Sequence, residues 1–287
     1  MKVKVALMQM YPKIGNKEYN ISRMEDFIHK TMKQDDQVQF IVFPETILTG
    51  IEGEPDMFKN MAERLEDGES ILRISKLAKL YHVYIAYGFA EKDAHSERLY
   101  NSVVMIDDTG KVMGSYHKTH LFAPAEVWDT PGDTYPIFET SFGKVGIITC
   151  WDVAFPEVAR IYALEGADLL VVCSNWEDPF DDEVWDETAL NTHEEDWDLM
   201  LRARAYDNVL PLIAANRVGN DGGMLSWFGR SKIVNPRGKI VKALDTREEG
   251  ILIGDVDLDE SKYLKEKYYT YIEDRRPDTY ALLCKEK

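Results

Sequence analysis

The feature that most constrains this chain is a recurrence of short apolar runs, long enough for a strand, each set against a stretch of helical period. Val38 to Phe43 is a nearly continuous apolar run suited to a strand buried on both faces. Before it, Val3 to Met10 alternates at period two and Ile21 to Thr31 has a helical pattern, so the chain opens as a β-α-β unit. Ile71 to Leu80 predicts a helix. Val83 to Phe89, Asn101 to Ile106 and Lys111 to His117 predict strands, the last two joined by the turn Asp107-Asp108-Thr109-Gly110. The rhythm then returns: strands at Tyr135 to Glu139 and Lys144 to Thr149, a helix from Pro156 to Gly166, and a buried strand at Asp168 to Cys173. Thr192 and Glu195 form a capping box for a further helix, and strands are predicted near Leu210 to Asn216, Ser226 to Val234, Lys239 to Ala243 and Ile251 to Val256. No linker rich in Pro, Gly or Ser divides the sequence. Residues 1–287 are therefore predicted to be one α/β domain with mixed sheets and helices outside.

Composition narrows the partners. With 34 Lys and Arg against 51 Asp and Glu, the net charge of -17 repels phosphate backbones and anionic lipid, which argues against nucleic acid and membrane as partners. No segment offers the roughly 18 uninterrupted apolar residues of a membrane span, and the N-terminus lacks a signal-peptide pattern, so a cytoplasmic protein is expected. Cys150, Cys173 and Cys284 cannot all pair and lack C-x-x-C spacing. Neither a disulfide framework nor a zinc site is expected, and at least one thiol is free.

Three reactive residues stand at predicted strand tips. Glu45 follows Pro44, which cannot donate to a ladder; Lys118 closes the Lys111 strand; Cys150 follows Lys144 to Thr149 just before the turn into the Pro156 helix. In open α/β sheets such strand ends form the ligand crevice, so the three can converge despite their separation in sequence. The set is chemically coherent: a thiol nucleophile, a carboxylate to take its proton, and an ammonium that favours the thiolate and stabilises an oxyanion. Taken singly, each also fits a buried small hydrophobe or a solvated strand end.

Sequence context sharpens this. Phe43-Pro44-Glu45, His117 to Phe122, and Gly146 to Asp152 with Phe155-Pro156-Glu157 resemble the three catalytic boxes of the nitrilase superfamily of carbon-nitrogen hydrolases, in the same order. The likeness extends to Ala6 to Gln9, Arg202 to Asn208 and Arg275 to Tyr280. It implies a four-layer α-β-β-α sandwich that assembles as a homodimer or higher homo-oligomer, and a hydrolase with Cys150 as nucleophile, Glu45 as base and Lys118 as oxyanion-stabilising cation. It also implies a role beside the triad for Glu126, an oxyanion donor in the Trp151 N–H, and a pocket lined by Asn175 and Trp176.

No cofactor or metal is called for. His117-Lys118-Thr119-His120 is an H-x-x-H on a strand end, where i and i+3 point to opposite faces, and Gly219 to Gly223 reads as a turn or rim rather than a phosphate cradle. The expected substrate is a small amide or N-carbamoyl amine. By resemblance, the chain looks most like the N-carbamoylputrescine amidase branch. ω-Amidase, β-ureidopropionase and nitrilase activities are the alternatives, with an acyltransferase or an inactive binding protein beyond them. Ten acids and no Lys or Arg lie between Glu177 and Asp196; they fit either a solvated rim or attraction of a cationic substrate.

Overall fold

The computed structural model of the chain describes residues 1–51, 53–122, 126, 129–178, 192–220 and 226–285, the side chain of Thr192 excepted. The first half contains β1 (Lys2–Gln9), α1 (Lys17–Gln34), β2 (Phe40–Val42), α2 (Pro55–Met61), α3 (Glu69–Tyr81), β3 (Tyr84–Lys92), β4 (Leu99–Ile106) and β5 (Val112–His117). The second contains β6 (Ile137–Thr140), β7 (Gly143–Thr149), α4 (Pro156–Leu164), β8 (Leu169–Ser174), α5 (Thr192–Asn208), β9 (Leu212–Asn216) and β10 (Val218–Asn220). It continues with β11 (Ser226–Phe228), β12 (Lys232–Val234), β13 (Ile240–Ala243), β14 (Gly250–Asp257) and α6 (Leu258–Lys267).

Two six-stranded sheets result, ordered β14-β1-β2-β3-β4-β5 and β13-β12-β9-β8-β7-β6. Across the first, the pairings run antiparallel, parallel, parallel, antiparallel, antiparallel. The second, read from β6, has the same succession. The two halves are thus built on one plan, with β1-α1-β2 answered by β7-α4-β8.

Side-chain alternation explains why the central strands read as continuous apolar runs. Val5 and Leu7 of β1 and Val145 and Ile147 of β7 point between the sheets and meet Val103, Val171 and Ile213 there. Ala6 and Met8, on the opposite face of β1, pack under Ile21, Met24 and Ile28 of α1 and Ile74 of α3. Ile148, Leu170 and Val172 pack under Val158 and Tyr162 of α4 and Trp197 and Leu201 of α5. Both faces of each sheet are therefore dry, one against the other sheet and one against helices, which gives the expected α-β-β-α layering.

The differences from expectation have local causes. The predicted strand Ser226 to Val234 is two strands, because Gly229 and Arg230 both adopt positive φ (72° and 57°) and turn the chain between them. Of the predicted turn or rim Gly219 to Gly223, Gly219 and Asn220 belong with Val218 to a strand paired with Ser226–Phe228; residues 221–223 lie outside the described residues. The helix α1 begins at Lys17, where Asn16 accepts the Tyr19 N–H at 3.1 Å as its cap. The Thr192 side chain of the predicted capping box lies outside the described residues. Among these residues no helix is long and apolar enough to cross a membrane.

Ile147 is fully buried in the layer between the sheets. Ile147→Ala is expected to cost about 2–5 kcal/mol, read as a lower urea midpoint with an unchanged denaturant slope.

Candidate active site

Glu45, Lys118 and Cys150 each leave the end of a strand. The segment carrying Glu45 continues along β3 past the end of β2: Phe43 N–H donates to Ala86 O (2.9 Å) and Gly88 N–H to Pro44 O (3.1 Å). This approach requires a glycine on β3, since a Cβ on Gly88 would lie 2.5 Å from Glu45 Cα and 2.5 Å from Thr46 N. Lys118 is held at the end of β5 by its N–H to Asn101 O (2.9 Å) and its carbonyl to the Gly132 N–H (2.8 Å). Cys150 leaves β7 with φ of +44° and opens a 3₁₀ turn, Cys150–Ala154, before Pro156 starts α4. A non-glycine residue at such a φ is costly and persists only where its surroundings hold it. Here the buried Arg204 of α5 helps, donating to Val153 O (2.9 Å) and Ala154 O (3.1 Å) at the end of the turn.

The side chains converge on one buried ammonium. Lys118 Nζ donates to Glu45 Oε1 at 2.8 Å and to Glu126 Oε2 at 2.7 Å, with all three side chains at 0% exposure. Asn101 on β4 donates its amide to both carboxyl groups, at 2.8 Å to Glu45 Oε1 and also to Glu126 Oε1. Asn175 N–H donates to Glu45 Oε2 (2.9 Å) and Phe122 N–H to Glu126 Oε2 (2.6 Å). Burial works to lower the Lys118 ammonium, but the charges of Glu45 and Glu126 overcome it and hold the group well above its ordinary 10.5. Burial raises the Glu45 carboxyl against the opposing pull of Lys118.

Cys150 lines the neighbouring cavity, of about 320 Å³. Burial pushes its thiol well above its ordinary 9.0; the Glu45 charge adds to this, while Lys118 and a hydrogen bond with Ser174 oppose it. The thiol therefore rests protonated at neutral pH. Phe122, Trp151 and Trp176 form an aromatic wall, with Trp151 and Trp176 stacked at 5.8 Å, and Glu177, His193 and Asp196 also line the cavity.

Trp151 and Trp176 line this cavity. Asn175 does not: fully buried, it gives its N–H to Glu45 and its side-chain amide to Thr46 Oγ1 (2.6 Å), and so lies behind the pocket. Sequence reasoning missed Asn101, Ser174 and Asp129. Asn101 and Ser174 sit within strands and break no periodicity, although the polar pair Asn101-Ser102 in the mainly apolar β4 is a weak signal. Both carboxyl oxygens of Asp129 are buried without a hydrogen-bond partner among the described residues, and burial together with the Glu126 charge pushes its pKa up to about 10.

The two histidines of the H-x-x-H diverge. His117 stacks on Tyr100 at 4.0 Å, and His120 stacks on Phe155 at 3.7 Å. Among the described residues no three His, Cys, Asp or Glu side chains are grouped to hold a metal ion. Of the acidic run, residues 179–191 lie outside the described residues. Asp178 pairs with Arg247 through both oxygens (2.6 and 2.9 Å), and Glu194 pairs with Arg230 (2.9 Å) and Arg247. Part of the run is therefore neutralised on the rim.

Known proteins resemble this chain in sequence and in fold. Residues 4–266 match the family model of the carbon-nitrogen hydrolases. A probable nitrilase of Schizosaccharomyces pombe is 46% identical over 284 residues, covering 99% of each chain. The N-carbamoylputrescine amidase of Solanum lycopersicum is 33% identical, covering 81% of this chain and 78% of its own. The crystal structure of a carbon-nitrogen hydrolase from Helicobacter pylori superposes with a TM-score of 0.90 at 27% identity, covering 99% of both chains.

Because burial and the Glu45 charge hold the proton on Cys150, its alkylation in the free protein is expected to climb with pH and to show no plateau below pH 9.0. Iodoacetamide labelling followed by peptide mapping, which separates Cys150 from the exposed Cys284, measures this.

Proposed function

The chain belongs to the carbon-nitrogen hydrolase family and is a hydrolase of carbon–nitrogen bonds; from that premise we propose that it cleaves a small amide or N-carbamoyl amine through an acyl-enzyme on Cys150, releasing ammonia. One observation carries the reading: a single buried ammonium, Lys118, bonded to Glu45 and Glu126 beside a thiol that opens onto a cavity.

An ammonium has three N–H donors. Two are taken by Glu45 and Glu126, leaving one to meet the oxygen of a substrate carbonyl as it becomes an oxyanion. As Cys150 Sγ bonds to the carbonyl carbon, Glu45 takes the thiol proton; it then passes that proton to the departing nitrogen, and the carbon–nitrogen bond breaks with release of ammonia. Water then attacks the thioester, giving its proton to Glu45, and the proton returns to Cys150 as the acid leaves. With an N-carbamoyl amine, the product is a carbamic acid that loses carbon dioxide to give the amine. Glu126 gives Lys118 a second carboxylate partner and leaves Glu45 free to exchange protons. A base raised by burial suits this cycle, because a carboxylate shifted upward takes up the thiol proton more readily than an ordinary one.

The cavity bears on the rest of the substrate. Its aromatic wall fits a short apolar linker, and Glu177 and Asp196 favour a positively charged far end. Asp178 and Glu194 contribute less, since Arg247 and Arg230 already neutralise them. Likeness to an amidase named for N-carbamoylputrescine supports this class. Likeness to a probable nitrilase keeps a nitrile as the second reading.

Intact-mass measurement with a slow amide is expected to show an adduct on the native protein and none on Cys150→Ala, which should also lose turnover; a fully active Cys150→Ala would sink the proposal. Lys118→Ala should lose about 100- to 1000-fold in kcat, as removal of an oxyanion donor does. In a panel of matched amides, carbamoyl compounds and nitriles with amino, methyl or carboxylate tails, the amino-tailed amide or carbamoyl compound is expected to have the highest kcat/KM. A carboxylate-tailed winner would point to ω-amidase or β-ureidopropionase activity instead.

A further inference from the structure

We propose that Asp152 is a positioning residue for this reaction, a buried joint that fixes Cys150 in place relative to Lys118; the inference rests on the thiol reading given above. Asp152 stands two residues after Cys150 in the 3₁₀ turn and is fully buried. Its Oδ2 accepts from the Tyr116 hydroxyl (2.7 Å) and the Thr149 N–H (3.2 Å). Its Oδ1 accepts from the His120 N–H (2.8 Å) and the Thr119 hydroxyl (3.1 Å), and lies 2.9 Å from His120 Nδ1.

The origin of these donors is what matters. Thr149 ends β7 in the second sheet and immediately precedes Cys150. Tyr116 lies on β5 in the first sheet, and Thr119 and His120 directly follow Lys118. Residues flanking the proposed nucleophile and residues flanking the proposed oxyanion cation therefore meet on one carboxyl group. A helix-capping role would need the Thr149 bond alone. The remaining contacts come from β5 of the opposite sheet and the loop that follows it, and what they fix is the separation of the two strand tips. The Tyr116 hydroxyl also lies 2.8 Å from Thr119 Oγ1, which closes the network on the Lys118 side. Placement to within a fraction of an ångström governs how well an attacking atom and an oxyanion donor act together.

Asp152→Asn keeps size and shape but turns one acceptor oxygen into an NH₂ donor. The His120 N–H on Oδ1 and the Thr149 N–H on Oδ2 can only donate, so one of them loses its acceptor in either orientation of the amide. In the full-length protein, kcat is expected to fall by about 100-fold with KM near the parent value, and alkylation of Cys150 should slow. A purely structural role would lower the melting temperature without this split. Thr119→Ala, which removes one contact to Asp152 and one to Tyr116, should lose part of kcat, and Thr119→Ser, which retains the hydroxyl, should recover it; this pair keeps the test decisive should Asp152→Asn fold poorly. Parent-like kcat in Asp152→Asn beside an inactive Cys150→Ala overturns the positioning role alone. Equal activity of Thr119→Ala and Thr119→Ser also overturns it. A fully active Cys150→Ala overturns the thiol reading and this inference with it.

Discussion

The arrangement of this protein turns on one buried ion, the Lys118 ammonium held between two carboxyl groups out of contact with water. Removing an ion from water costs several kcal/mol even after the protein relaxes, so such a group persists only when its partners are near ideal and fully hydrogen-bonded themselves. Each partner here is satisfied from a different part of the fold: Asn101 from β4, the Asn175 N–H beyond β8, and the Phe122 N–H beyond β5. The cluster demands a scaffold stiff enough to hold four strand ends together, and two sheets dry on both faces provide it.

Those sheets also account for the position of the thiol. Since the second half repeats the pairing pattern of the first, β2 and β8 occupy corresponding places, and the residues that follow them, Glu45 and Asn175, bond to each other across the sandwich at 2.9 Å. Asp152 makes a second tie between the sheets, from the turn of Cys150 to the loop of Lys118. The left-handed backbone at Cys150 is strained, and it is held between the Asp152 tie and the Arg204 bonds to the end of its turn. Local strain at the proposed nucleophile is thereby carried by packing elsewhere in the fold.

Charge is distributed unevenly around the cavity. The protein has a large acidic excess, yet on the rim Asp178, Glu194 and Asp198 are engaged by Arg247, Arg230 and Lys232. The Arg247 pairs, half-exposed on the arginine side, add little stability. The consequence of these pairs is spatial, because they weaken what Asp178, Glu194 and Asp198 add to the potential felt at the aromatic cavity.

Much of this was legible without coordinates. Period-two alternation, with both sets of positions apolar, specifies strands covered on both sides, and the tips at Glu45, Lys118 and Cys150 are marked by Pro44, which cannot donate to a ladder, and by the turns after His117 and Thr149. The capacity for thiol chemistry likewise follows from residue types. The sequence could not disclose which polar residues inside strands face the site: Asn101 and Ser174 look like tolerated interruptions until β4 and β8 are brought beside Lys118 and Cys150. It could not separate Trp176, which faces the cavity, from its neighbour Asn175, which faces Glu45, since successive residues at a strand end diverge by small differences in backbone angle. Nor did it reveal that Gly229 and Arg230 break one predicted strand into two. Local composition determines which segments become strands and helices, because period and turn chemistry act over a few residues. The meeting of a buried lysine, two glutamates and a cysteine was decided only by tertiary structure, because hydrogen bonds across 73 and 130 residues of sequence depend on how the two sheets stack.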